Sequence, residues 1–107
     1  MANYSKYKAI RTEVDGLWFA SKKEAKRYRE LVLLEKAGAI SHLELQPIYE
    51  INYQGVKICK YQGDFRYFCK EKRARILEDV KGMKTPVYRL KKKLVEAFYP
   101  GTKIVEV

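Results

Sequence analysis

The chain has few of the residues that many enzyme families use for metal binding or nucleophilic catalysis. Its 107 residues include one histidine, His42, and two isolated cysteines, Cys59 and Cys69. A single histidine argues against histidine-based metal sites, against Ser-His or Cys-His nucleophile systems, and against nucleases that need a histidine base. Two isolated cysteines argue against a structural zinc and are typical of small strand residues in a reducing compartment.

Long apolar runs are also missing. No stretch approaches the roughly 18–20 residues of a membrane span, and the N-terminal segment lacks the apolar core of a signal peptide. We therefore expect a cytoplasmic protein that does not associate with membranes. The chain has no internal repeat or linker, and its length suits one compact domain rather than a core with a separate ligand domain.

Positive charge is what the chain has in excess. It contains 23 lysine and arginine residues against 13 acidic ones, a formal net charge of +10. Such a field attracts polyanions, and nucleic acid is the natural candidate. Nine tyrosines and four phenylalanines suit base stacking, although burial in a sheet is the commoner use of tyrosine. Residues 1–12 predict a flexible basic arm and residues 13–107 a folded domain.

Two segments predict amphipathic helices. The first covers residues 22–37, between Ser21 as the N-cap and Gly38 as the stop. The second opens at Thr85 and Pro86, which are favoured at the N-cap and the first helical position. Its predicted inward-facing residues are Val87, Leu90, Leu94, Val95 and Phe98.

The remaining segments are β-rich. A short strand at 17–19 precedes the first helix, and residues 43–53 and 56–68 flank a predicted turn at Gln54-Gly55. Residues 56–68 predict one long strand or two shorter ones. Residues 75–81 predict the next strand, and the alternating residues 103–107 predict a last one. The main order is therefore helix, three strands, helix, strand, in a single α/β domain.

The most informative pattern is Asp64 followed by Asp79-Val80-Lys81. In an extended strand Asp79 and Lys81 share one face, while Val80 points to the other. If the charged stretch 70–73 is the tip of a hairpin, Asp64 lies opposite Asp79, with Cβ atoms roughly 4.5–5.5 Å apart. Facing carboxylates repel each other unless a divalent cation lies between them, so the pattern predicts a metal-dependent phosphodiesterase. The ordinary alternative is pairing with basic side chains on a solvated sheet face.

Four blocks follow one another in a specific order: Phe19-Ala20-Ser21-Lys22-Lys23-Glu24-Ala25, Leu45-Gln46-Pro47, Gly63-Asp64-Phe65 and Glu78-Asp79-Val80-Lys81-Gly82. Together they resemble the PD-(D/E)XK nuclease superfamily, and more narrowly a family of small phage and prophage proteins of unassigned function within it. The resemblance covers residues 14–107 and implies a restriction-endonuclease-like α-β-β-β-α-β sandwich around a mixed sheet. Gly63 replaces the proline that usually precedes the first aspartate.

The resemblance implies a Holliday junction resolvase-like DNA endonuclease that uses one or two Mg²⁺ or Mn²⁺ ions, with Lys81 beside the attacking water. The implied metal ligands are Asp64, Asp79, the Val80 carbonyl and Glu24. Products would carry 5′-phosphate and 3′-hydroxyl ends. The implied setting is phage recombination or repair on branched DNA, in the host cytoplasm if the chain is phage-encoded, and symmetric cutting implies a homodimer. No small-molecule substrate is expected.

Two acidic residues keep alternative roles. Glu24 lies three residues after Ser21, the spacing of a capping box, and also in the apolar stripe that faces the sheet. It can therefore be a helix cap or a metal ligand. Glu78 could face the metal instead of Asp79 if a bulge shifts the strand, but only Asp79 has the one-residue spacing to Lys81.

Candidate nucleic-acid contacts lie on the two helices and in the second of the four blocks: Lys22, Lys23, Lys26, Gln46, Tyr88, Lys91 and Lys92. The basic face of the first helix also includes Arg27 and Arg29. The ordinary alternative is a solvated lysine face. Two other functions suit the charge: a non-catalytic nucleic-acid-binding module that retains the fold, and a basic RNA-binding α/β protein.

Overall fold

The computed structural model describes residues 10–80 and 84–107. Within these ranges the elements are β1 (Thr12–Val14), β2 (Leu17–Phe19), α1 (Lys22–Lys36), β3 (Ile40–Leu45), β4 (Ile48–Tyr53), β5 (Val56–Gln62), β6 (Phe65–Cys69), β7 (Ala74–Asp79), α2 (Pro86–Phe98) and β8 (Thr102–Glu106). They form a single α/β domain with a mixed sheet, as predicted. No helix in these ranges has the length and apolar character needed to cross a membrane.

Both helices begin at the predicted caps. The Ser21 hydroxyl accepts a hydrogen bond of 3.1 Å from the Glu24 backbone N–H, and the Thr85 hydroxyl accepts one of 3.1 Å from the Tyr88 N–H. Each bond satisfies a backbone donor that has no partner inside the helix. α1 ends at Lys36, and Gly38 follows with φ +84°, a conformation that glycine adopts without steric cost.

The described region between the helices has five strands rather than the predicted three. β3, β6 and β7 are antiparallel neighbours and β8 lies parallel to β7, which gives the strand order β3-β6-β7-β8. β4 and β5 form a separate antiparallel hairpin inserted between β3 and β6. The prediction was wrong in running β3 into β4, whereas residues 56–68 form two shorter strands, β5 and β6, one of the two forms that the sequence left open. Gln46, with φ +51°, and Pro47 break the first run, and Gly63-Asp64 break the second.

The two helices cover opposite faces of the four-stranded sheet. On one face Phe65 and Ile76 pack with Leu31 of α1. On the other face Leu77 packs with Val95 of α2 and with the inserted hairpin. Because fully burying a side chain of this size contributes about 1.5–3 kcal/mol, these clusters hold the sheet between the helices.

The inward face of α2 differs from the prediction. Val95 is buried and Leu94 packs at the edge of the core, but three of the predicted inward residues are exposed: Val87, Leu90 and Phe98. Tyr88 takes their place against the sheet. A buried tyrosine contributes a large apolar ring, and its hydroxyl finds a partner here in Glu106.

β6 and β7 pair in the predicted register. Phe65 lies opposite Glu78, and loop 70–73 connects the two strands. The pairing ends at Phe65: Asp64, directly before β6, donates its backbone N–H to the Glu78 carbonyl over 3.0 Å, so the predicted pairing of Asp64 with Asp79 is not part of the ladder. The two strands are connected by a four-residue loop in which Arg73 has φ +50°. Glu71 and Lys72 therefore do not have to form a tight two-residue turn, for which they are poorly suited.

Candidate active site

The predicted acidic residues meet at one end of the β6–β7 pair. Asp64 comes directly before β6, and Asp79 is the last residue of β7. Glu24 lies in the first turn of α1. The exposed fractions are only 6% for Glu24 and 2% for Asp79. Since buried carboxylates are rare unless they are partnered, their surroundings need an explanation.

Glu24 and Asp64 are in direct contact. A hydrogen bond joins their side chains, and Asp79 is near enough to act on Glu24 electrostatically. Burial, and then the charge of Asp64, raises the pKa of Glu24 from its ordinary 4.5 to about 7. A hydrogen bond between two carboxyl groups needs a proton, so this pair retains a shared proton up to about neutral pH.

Glu24 also takes part in the start of α1. Its backbone N–H donates to Ser21, which is one half of a capping box. Its carboxylate accepts a backbone hydrogen bond at Ala20, one residue before the expected partner. The two predicted roles are therefore compatible, because the same side chain contacts the helix entrance and Asp64.

Asp64 is held by backbone groups on both sides. The Val80 N–H donates to Asp64 Oδ2 over 2.6 Å, and the Gln46 N–H donates to the Asp64 carbonyl over 2.9 Å. Gln46 itself is exposed and lies one residue beyond β3, not within a strand as predicted. These contacts bring Val80 and Gln46 next to the acidic pair.

Asp79 has a partner that sequence reasoning missed. The hydroxyl of Tyr61, in β5, donates a hydrogen bond to Asp79 Oδ2. Tyr61 is itself buried, and its ring lies 6.2 Å from that of Tyr88, centroid to centroid. The inserted hairpin therefore orients one of the predicted metal ligands. The one sequence signal for this role was the position of Tyr61, three residues before Asp64.

A second acidic residue lies beside Asp79 in the parallel ladder. Glu106 of β8 pairs with Asp79, accepts a 2.7 Å hydrogen bond from the Tyr88 hydroxyl, and lies 2.9 Å from Lys84 Nζ and 3.6 Å from Lys92 Nζ. Hydrogen bonds from Lys84 and then Tyr88 lower the pKa of Glu106 to about 2. Tyr88 is thus buried, and its hydroxyl is hydrogen-bonded to Glu106. The prediction that Tyr88 is a surface contact to nucleic acid was therefore wrong.

Glu78 faces the other side of the sheet. Its carboxylate receives two hydrogen bonds from Arg27, from Nε at 2.8 Å and Nη2 at 2.5 Å, and a third from the Tyr67 hydroxyl. Successive strand residues point to opposite faces, so Glu78 faces α1 while Asp79 faces the inserted hairpin. The same hydrogen bonds direct the Arg27 guanidinium towards the sheet and away from the basic outer face of α1.

The donor set suits a hard divalent cation, because Mg²⁺ and Mn²⁺ prefer carboxylate and carbonyl oxygens. In residues 10–80 and 84–107, however, no three acidic, histidine or cysteine side chains form a complete metal-binding group. What these residues offer is the protonated pair Glu24 and Asp64, with Asp79 nearby. Lys81, the predicted catalytic lysine, lies outside the described residues.

Candidate nucleic-acid contacts on α1 line a cavity near this end of the sheet. A shallow cavity of about 180 Å³ is lined by Lys23, Lys26, Arg27, Glu30, Val80 and Val107. Lys22 is also exposed at the start of the helix, and Lys91 is half-buried on α2. The basic surface of α1 therefore adjoins Val80, which contacts Asp64.

The fold and site define a small, basic α/β protein with a buried acidic group at one end of a mixed sheet. The chain belongs to the family described as "Protein of unknown function (DUF1064)", whose model matches residues 4–107. Comparisons with curated proteins and with solved structures found no match.

Proposed function

We propose that the protein is a divalent-metal-dependent DNA endonuclease that hydrolyses phosphodiester bonds. The observation that carries this proposal is the hydrogen-bonded pair Glu24 and Asp64 with Asp79 beside it. Three carboxyl groups this close cannot all ionise without a compensating charge, so such a group is better explained by a cation than by stability. When the β4–β5 hairpin is set aside, the order of elements from α1 onwards is that of the PD-(D/E)XK core.

The metal, Mg²⁺ or Mn²⁺, would be held by Glu24, Asp64, Asp79 and the Val80 carbonyl. Once bound, it would lower the pKa of a bound water and neutralise charge on the leaving oxygen. The chain's own residues prepare this site. Val80 N–H fixes the Asp64 carboxylate, and a pKa near 7 lets Glu24 release its proton at physiological pH. Lys81 is proposed to orient the attacking water.

The positive surface supports nucleic acid as the substrate. The net charge is +10, and Lys23 and Lys26 line the cavity that reaches Val80. Lysines in this position would bind phosphates next to the acidic group. Branched DNA and a homodimer are part of the proposal. The exposed apolar side chains Val87, Leu90 and Phe98 on α2 support self-association, because an apolar patch can pair with its own copy despite the net charge.

One observation favours a second function. The lack of a complete three-residue metal group among the described residues suits a nucleic-acid-binding module that keeps the fold without catalysis. Such a module would bind DNA with a steep dependence on salt, and its binding would not respond to EDTA or to Asp79→Ala.

A cleavage assay separates the two functions. Purified protein is incubated with a labelled four-way junction, a linear duplex and a single strand in Mg²⁺, Mn²⁺ or EDTA. Asp79→Ala and Lys81→Ala are tested in parallel, and Glu71→Gln, in loop 70–73, controls for an unrelated change of charge. The proposal expects metal-dependent cutting that both site variants lose and the control keeps. Binding without cutting in either metal would favour the binding module.

A further inference from the structure

A second group of side chains lies on the same sheet face as Asp79 of β7. Cross-strand pairing aligns Ser41 of β3, Phe68 of β6 and Arg75 of β7 in one row. Phe68 is four residues beyond Asp64 along the chain. At about 3.3 Å per strand residue, the row lies roughly 13 Å from the acidic group.

This row forms the floor of a cavity on the sheet. Its volume is about 500 Å³, and it is lined by Ser41, His42, Glu44, Arg66, Tyr67, Phe68 and Arg75. The volume falls within the range of small-ligand sites and exceeds what a single phosphate needs. The lining combines two guanidinium groups, an imidazole and a partly exposed phenyl ring.

The polar groups of the cavity are not equally free to bind. Arg66 pairs with Glu44 and lies over the Tyr49 ring at 5.3 Å from its centroid. Arg75 is exposed and takes part in no salt bridge among the described residues. Phe68 has an exposed fraction of 38%, although its neighbours Tyr67 and Phe65 are buried. The available surface is therefore a cation beside an aromatic ring.

Backbone strain occurs at the rim of the same cavity. The β3–β6 register shifts between Ser41 and Glu44, and His42 within this bulge has φ +58°. A non-glycine residue in this conformation is uncommon and costs on the order of 1 kcal/mol. Bulges redirect side chains and are frequent next to functional sites. The bulge places the chain's single histidine at the cavity, where its ring nitrogen lies 3.1 Å from the Ser41 hydroxyl.

We propose that this cavity binds one nucleotide of an unpaired DNA segment, with its base stacked on Phe68 and its phosphate at Arg75. A free anion would use the guanidinium alone and leave the exposed ring without a partner, whereas a nucleotide uses both. The inference rests on the proposed action on DNA. A separation of roughly 13 Å corresponds to at most about four nucleotides, the number at the duplex rise of 3.4 Å, and to fewer in an extended single strand. The cavity thus favours substrates with a single-stranded segment beside the cleavage point.

Fluorescence anisotropy in EDTA tests this site without cleavage. Binding of a labelled 12-nucleotide single strand and of a duplex is compared for Phe68→Leu and Arg75→Ala. Tyr53→Leu and Arg89→Ala are matched controls, because Tyr53 is 57% exposed at the end of β4 and Arg89 is exposed on α2. Thermal unfolding of each variant confirms that it folds.

We expect Phe68→Leu to weaken single-strand binding roughly five- to hundredfold, the usual effect of losing one stacking contact. Arg75→Ala should also reduce the salt slope of log K by about 0.7, while Phe68→Leu leaves that slope unchanged. Duplex binding and the control variants should change little.

Three outcomes would overturn the inference: no binding by the wild type, unchanged single-strand binding by both cavity variants, or equal losses in the controls. Because the assay excludes metal, these outcomes are distinguishable from a failure of catalysis. A protein that binds as expected but never cuts would contradict the nuclease alone.

Discussion

Replacing Glu24 with glutamine is expected to stabilise the protein above neutral pH while removing its proposed activity. In the folded chain Glu24 is buried against Asp64, and its pKa is raised to about 7. Glutamine has nearly the same shape and can still donate a hydrogen bond to Asp64, but it carries no charge at any pH. The substitution therefore removes a repulsion and keeps the packing.

The sign and size of this effect follow from linkage between folding and proton binding. A carboxyl group whose pKa rises from 4.5 to about 7 on folding binds more protons in the folded state between these values. Wild-type stability should therefore fall as pH increases from about 4.5 to 7 and level off above that range. The full loss has a ceiling of about 3 kcal/mol, since one pKa unit corresponds to about 1.36 kcal/mol. Solvent relaxation and coupling to Asp64 make about 1–3 kcal/mol the expected range.

Thermal unfolding in EDTA between pH 4.5 and 8.5 measures this difference. Glu24→Gln should unfold near the wild-type temperature at pH 4.5 and several degrees higher at pH 8, since about 1 kcal/mol corresponds to 4–8 °C in a domain of this size. Glu71→Gln, in the exposed loop, controls for the loss of one negative charge. A Glu24→Gln variant that is less stable at pH 8, or whose advantage does not change with pH, would refute the reasoning.

Three further substitutions test particular contacts. Arg27→Ala leaves the Glu78 carboxylate buried without its guanidinium and should cost about 3–5 kcal/mol in urea unfolding, so a loss below about 1 kcal/mol would contradict the buried ion pair. Gly63→Ala should lower the free energy of unfolding by about 1–3 kcal/mol, because a Cβ atom there would lie 2.5 Å from Leu77 Cδ1. An unchanged free energy of unfolding would show that Leu77 moves aside without cost. Tyr61→Phe removes the hydroxyl that orients Asp79 and should lower the cleavage rate more than DNA binding; an unchanged rate would exclude that positioning role.

Local signals predicted the parts of the fold that depend on neighbouring residues. Ser21 and Thr85 cap the helices because their hydroxyls reach a backbone N–H three residues ahead, a short-range interaction. The register that places Phe65 opposite Glu78 was predictable because loop 70–73 joins adjacent strands. These features need little tertiary information.

The remaining features depend on contacts between distant segments. The break at Gln46 and Pro47 lies inside a β-rich stretch, so the inserted hairpin was not recognised. That hairpin in turn favours Tyr88 on the inner face of α2 and brings Tyr61 to Asp79. Side-chain partners at such separations have no local pattern, which is why sequence reasoning missed them.

The shared proton between Glu24 and Asp64 explains why the predicted ligands can be buried together before a metal binds. A cation that binds both carboxylates must displace this proton, so binding and deprotonation are coupled. Glu24→Gln should therefore weaken metal binding although it stabilises the fold.

Calorimetric titration with Mn²⁺ in buffers of different ionisation enthalpy tests this central claim most directly, because it reports metal affinity and proton release together. The account predicts saturable binding that releases close to one proton at pH 6 and progressively fewer above pH 7, and that is weakened in Glu24→Gln and in Asp64→Asn but not in Glu71→Gln. An absence of binding, or binding without proton release at pH 6, would contradict it.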